Sequence, residues 1–126
     1  MAFVQDSTRS DPSSGTKLAA IADGLVRIHK DVCGRGPTNA RCFAAGDVVV
    51  GLLQGGLTRG ERTLLESGDL EAVNRQRLAL HHVMKGPARE LVERELGRRV
   101  TAMTLAADPA NELETAVFVL DAPLES

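Results

Sequence analysis

Residues 34–56, GRGPTNARCFAAGDVVVGLLQGG, decide the fold. Gly34 to Pro37 is a turn, because glycine suits the left-handed cap of a preceding helix and a proline three residues later stops that helix from resuming. From Thr38 to Ala45, Ala40, Cys42 and Ala44 alternate with Asn39, Arg41 and Phe43, which is the period of a strand. Gly46-Asp47 punctuates the chain, and Val48 to Gln54 reads as a second strand, so the pair is a β-hairpin. This second strand is apolar at consecutive positions. Both of its faces are therefore expected to be covered, as in a central strand or a subunit contact. Gly55-Gly56 ends it.

Upstream, Leu18, Ile21, Ala22, Leu25, Ile28 and Val32 recur at spacings of three and four, predicting a helix over Thr16 to Cys33. Residues 1–15 show no such period and are expected to be a flexible tail. Downstream, Thr58 and Glu61 have capping-box spacing, so a helix should begin near Arg59. It is expected to be interrupted at Ser67-Gly68 and to resume through Leu70, Val73, Leu80, Val83 and Met84. A kink or break is expected at Gly86-Pro87, where the proline removes a helical hydrogen bond. The stripe then continues through Ala88, Leu91, Val92 and Leu96 to Gly97. Strands over Arg99 to Ala107 and Thr115 to Asp121, joined by a Pro109-Ala110-Asn111 turn, complete the chain.

The expected fold is a two-layer α+β domain over residues 16–126, in the order α-β-β-α-α-β-β. An antiparallel four-stranded sheet carries its helices on one face. The second half echoes the first, each with a helix ending in Gly-Arg, an alternating strand and then an apolar strand, as an internal αββ duplication would produce. The sheet face opposite the helices needs cover, and a homodimer is expected to supply it.

At 126 residues, 43% hydrophobic and 25% charged, the chain has the make-up of a single globular domain. Its aromatic content is 2%, carried by Phe3, Phe43 and Phe118 alone. That excludes a base-stacking platform or an aromatic cage. Arg and Lys are interleaved with acids up to Arg99, and no Lys or Arg follows, so nucleic-acid binding is not expected. The N-terminus lacks a secretory pattern and two cysteines make no disulfide framework, which points to the cytoplasm. The densest apolar run, Val48 to Leu53, is far too short for a membrane span.

His29 and Cys33 lie one helical turn apart, but two ligands do not make a metal site, and no local motif supplies the rest. His29 is expected to meet carbonyls near its helix end, and Cys33 to act as a small hydrophobe. Of the adjacent His81 and His82, at most one faces any interior, and both read as partly exposed. No nucleophile-elbow motif occurs. Gly34-Arg35-Gly36-Pro37 has the makings of an anion loop, yet it follows a helix and precedes a strand, the reverse of a phosphate-binding loop. Arg59, Arg62, Arg75 and Arg77 read either as an anion patch or, with Glu61, Glu66, Asp69 and Glu71 between them, as solvated helix faces.

G-R-G-P at Gly34 to Pro37, G-D-V-V-V at Gly46 to Val50, G-G-L-T-x-x-E at Gly55 to Glu61 and V-F-V-L at Val117 to Leu120 together resemble the MpsC family. Arg75-x-Arg77 and Pro87-x-x-x-Leu91 are similar to it as well, and the resemblance spans about residues 17 to 121. Members are small bacterial proteins associated with a Na+-translocating membrane-potential-generating system. The resemblance implies an accessory or regulatory protein tied to Na+ or inorganic-carbon transport, and a membrane transporter as partner. It supplies no catalytic residues and no cofactor. Lacking a span, such a protein regulates transport from the inner face of the membrane rather than conducting the ion. The residues expected to meet the partner are Gly34, Arg35, Gly36 and Pro37 in the turn, and Thr58, Glu61, Arg62 and Arg75 beyond it. Two other readings are a small-anion or nucleotide sensor using the same glycines and arginines, and a small enzyme using Cys33 or His29.

Overall fold

The structure is a computed structural model describing residues 12–124, with side chains from Gly15 onward. Helix α1 spans Pro12–Cys33, strands β1 and β2 span Asn39–Ala45 and Val48–Gln54, and helices α2 and α3 span Arg59–Glu66 and Leu70–Leu96. Strand β3, Val100–Asp108, leads through a 3-10 turn at Pro109–Asn111 into β4, Leu113–Leu120. The fold is α+β in the expected order. Most of the predicted tail lies outside the described residues, but Pro12 to Gly15 form the first turn of α1, so the helix starts before Thr16. Proline suits that position, since a helix's first N–H groups lack intrahelical partners anyway.

The capping box at Thr58 and Glu61 forms, and Ser67-Gly68 separates α2 from α3. By contrast, α3 runs through Gly86-Pro87 without a break. Flanking residues explain this, because Met84, Ala88, Leu91 and Val92 are all buried and hold both sides of the proline against the same core.

All strand pairs are antiparallel, in the spatial order β1-β2-β4-β3. Two hairpins therefore meet through their inner strands, β2 and β4. Helix α1 packs against β1 and α3 against β3, and the helices pack on each other. This is a two-fold-like arrangement of αββ halves. Each half's long helix ends alike, at a glycine of positive φ (+83° at Gly34, +64° at Gly97) whose N–H donates to the carbonyl four residues back. Only glycine adopts that conformation without strain.

Register sorts the strand residues cleanly. Ala40, Cys42 and Ala44 of β1 lie level with Leu53, Gly51 and Val49 of β2. Val49 and Gly51 in turn face Phe118 and Ala116 of β4, and those face Met103 and Leu105 of β3. This face meets the helices. Its core includes Ile21, Leu25, Val49, Leu53, Val92 and Phe118, each no more than 2% exposed. At Gly51 an added Cβ would come within 2.8 Å of Leu25 Cδ1, so the missing side chain lets α1 lie close on the sheet.

Phe118 is the only aromatic ring in this core among the described residues. Phe118→Ala is expected to cost about 3–5 kcal/mol, read as a lowered urea midpoint with unchanged slope.

Candidate functional site

The end of the domain where α1 stops, α2 starts and β4 begins holds a buried charged cluster. Its centre is Arg77 of α3, 2% exposed. Asp69 caps α3, and Val73, Arg77, His81 and Met84 then recur at spacings of four and three, which puts the guanidinium on the helix's inward stripe. Arg77 Nε donates to Glu61 Oε2 at 2.8 Å and Nη2 donates to Glu61 Oε1 at 2.6 Å. Nη2 also donates to the Gly56 carbonyl at 2.8 Å, and Nη1 to Glu114 Oε2 at 2.5 Å. Nη1 further lies 3.9 Å from Cys33 Sγ. Burial opposes the charge, but the hydrogen bond to Glu61 and the two carboxylate charges outweigh it and hold the guanidinium pKa above its usual value.

Glu114 ties in two histidines. His81 Nε2 donates to Glu114 Oε1 at 2.6 Å, and His29 Nε2 lies 3.2 Å from the same oxygen. The other nitrogen of His29, Nδ1, is 2.9 Å from the Leu25 carbonyl, one turn back within α1 rather than at the helix end. A carbonyl and a carboxylate only accept, so both His29 contacts are hydrogen bonds when the ring carries both protons. Burial alone would raise the Glu114 pKa, but hydrogen bonds from His29 and His81, with the charges of His29 and Arg77, pull it down to about 2. His81 is buried, not partly exposed, because it continues the inward stripe; His82 faces outward.

The predicted residues divide around this cluster. Gly34 and Arg35 are exposed, and Gly36 sits where a Cβ would press on Val26 at 3.2 Å. Pro37 is buried against Gly56. The Thr58 N–H donates to Glu61 Oε1 at 2.9 Å and the Glu61 N–H to Thr58 Oγ1 at 3.2 Å. Glu61, 1% exposed, thus caps α2 with the same carboxylate that grips Arg77. Exposed Arg62 makes two hydrogen bonds to Glu112, at 3.0 and 2.9 Å, in the turn before β4. Arg75 pairs with Glu71 at 2.8 Å on the solvent side of α3, away from this cluster. Glu114 escaped sequence reasoning, and Arg77 and His81, read there as surface or partly exposed residues, are buried. Their signal was phase: Arg77 and His81 fall on the inward stripe of α3, and Glu114 shares the inward alternation of Ala116, Phe118 and Leu120.

The cluster's chemistry is that of a clamp. Arg77 is occupied by acceptors, and Arg62 and Arg75 are each paired with a carboxylate, so three of the four arginines considered for an anion patch are neutralised. The adjoining cavity, lined by Pro37, Gly56, Leu57, Arg77, Pro109 and Glu114, is about 10 Å³, room for about one water. Among the described residues, no group of three or more His, Cys, Asp or Glu side chains is arranged to hold a metal ion. Burial pushes the Cys33 thiol up and the Cys42 thiol up to about 12, the opposite of an activated nucleophile. What the clamp does is fix the Gly55–Thr58 loop, the start of α2 and the start of β4 against the end of α1. The Gly55 N–H donates to the Glu112 carbonyl at 3.1 Å, completing the join.

Arg77→Met leaves two carboxylates buried without their cation and is expected to cost about 3–5 kcal/mol at neutral pH. Glu114 also sets an acid limb. Its folded pKa, about 2, lies below the usual 4.5, so its contribution is complete above 4.5 and disappears as pH falls through 2. Urea midpoints taken between pH 5 and 2 should fall more steeply in the wild type than in Glu114→Gln; parallel profiles would contradict this assignment.

Searches of curated proteins and of solved structures return no match. The family model described as "Na+-translocating membrane potential-generating system (MpsC)" matches residues 13–122, from the first turn of α1 to just past β4. That stretch contains the whole sheet, α2, α3, all of α1 but its first residue, and the buried clamp, and on this match the chain belongs to the MpsC family.

Proposed function

We propose that this chain is a soluble accessory or regulatory protein of a Na+-translocating membrane system, acting at the inner face of the membrane by binding a transporter. The observation that carries the reading is the family match over residues 13–122. Its direction, regulation rather than conduction, is supported by the helices: among the described residues none is long and apolar enough to cross a membrane. The chain works as a homodimer in the cytoplasm.

The contact surface is the end of the domain that the clamp holds. Arg35 stands exposed in the turn after α1, and Arg62 and Glu112 bridge α2 to the β3–β4 turn. Thr58, Glu61, Gly36 and Pro37 lie behind them and set their position, and Arg77 locks that backing from inside. A surface fixed this way binds without first losing loop entropy, which favours recognition of a folded partner.

Deleting the chain from its host is expected to lower the Na+-dependent membrane potential, and re-expression of the wild type to restore it. Arg35→Ala combined with Arg62→Ala should fail to restore it while shifting Tm by no more than about 2 °C, since exposed ion pairs contribute little stability. An unchanged potential after deletion would refute the transport role. Full restoration by the double variant would refute the surface.

A further inference from the structure

The sheet has a second face, away from the helices, and its composition is unusual for a surface facing water. Register places Phe43, Val50, Val117 and Thr104 in one row across it, and Ala45, Val48, Val119 and Ala102 in the next. A third row is Arg41, Leu52, Thr115 and Ala106, and the fourth is Asn39, Gln54, Leu113 and Asp108. Twelve of these sixteen positions, counting threonine's methyl, present hydrocarbon. None of Val48, Val50, Leu52, Val117 or Val119 belongs to the core or to the residues packed against it. An antiparallel sheet with one wet face normally alternates hydrophobic and polar residues, and β2 and β4 do not.

Only two formal charges stand on this face, and they are opposite: Arg41 on edge strand β1 and Asp108 on edge strand β3, both exposed. Two copies stacked face to face about an axis parallel to the strands would lay β1 of each over β3 of the other. Arg41 then lies one residue pair along the strand from the partner's counterpart of Asp108, at both ends of the interface. An axis across the strands would lay β1 over β1 and bring the two arginines together, which electrostatic complementarity disfavours. The footprint is close to the size such an interface needs. Four strands about 4.8 Å apart and seven residues long at about 3.3 Å cover roughly 440 Å² per copy before side-chain relief is counted. Two such footprints approach the roughly 1,000 Å² needed for a specific interface.

We infer that the outer face of the β1-β2-β4-β3 sheet is a self-association surface that takes a second copy of this chain with β1 over β3, closed by Arg41 and Asp108 across the two edges. The inference rests on the homodimer reading above and adds the face and the stacking. It leaves the clamped end, with Arg35 and Arg62, open to the transporter.

Light scattering of the full chain at micromolar concentration should give twice 13.4 kDa. Val50→Arg should yield a monomer with an unchanged far-ultraviolet spectrum. Arg41→Asp and Asp108→Arg, both at exposed positions, should each weaken the dimer by about 10-fold, and the double charge swap should recover it to within about 3-fold; Asp108→Asn, which keeps an acceptor for the Asn111 side chain, separates loss of the charge from loss of that hydrogen bond. A monomeric wild type would overturn both the homodimer and this surface. A dimer that survives Val50→Arg would overturn the surface and leave the homodimer standing. A dimer that Val50→Arg dissolves but the charge swap does not rescue would overturn the stacking.

Discussion

A guanidinium taken out of water needs an acceptor for each of its five N–H groups, and Arg77 finds them on four separate parts of the chain. Glu61 comes from α2, Gly56 from the loop before it, Glu114 from β4 and Cys33 from the end of α1. An uncompensated charge at that depth would cost several kcal/mol, so the group is stable only when all four segments have arrived. Apolar packing between the helices and the sheet is permissive by comparison, since aliphatic side chains of similar volume can substitute for one another. The polar clamp is not. It admits one arrangement of the loop, the α2 start and the β4 start, and the surface assigned to partner contact is built on that arrangement.

The division between what the sequence disclosed and what it hid follows the same line. Both hairpins, the separation of α2 from α3 and the capping box were legible because each depends on local signals: alternation, a glycine of the right hand, a Thr and a Glu three apart. The seam between β2 and β4 was anticipated only as strands without clean alternation. Its register comes from contacts between residues remote in the chain. Of the kink or break expected at Gly86-Pro87, the break does not occur, because proline's effect on an isolated helix is local, whereas the burial of Met84 and Ala88 on either side is tertiary. The clamp was hidden for a related reason. Charged residues are ordinarily read as solvent-facing, so Arg77 reads by type as surface and Glu114 attracts no reading, although their phase along helix and strand places them inside. Glu61 was recognised as a cap, but its second duty is visible only in three dimensions.

The molecule thus has two surfaces of opposite character. One end is polar and backed by buried ion pairs; the broad outer sheet face is apolar and nearly uncharged. The scarcity of aromatic rings shapes both, since neither can anchor a partner with a tryptophan or a tyrosine, the residues that dominate most binding hot spots. In the two contacts proposed above, recognition at the polar end falls to guanidinium and carboxylate groups, and on the sheet to the shape of β-branched side chains and Phe43.

The order β1-β2-β4-β3 bears on how the chain reaches this state. Each hairpin closes over a short loop, so its contacts can form early and independently. The seam joins Val48 to Val119 and Leu53 to Glu114, with two helices intervening, and no local event can bring those strands together. Long-range pairing of this kind slows folding because a large loop is closed before any of the contacts it enables exist. Glu114 sits at that seam, so the clamp and the central strand pairing assemble as one late event. Until then the most apolar edges of both hairpins stay unpaired, making the interval before closure the chain's period of greatest exposure to aggregation.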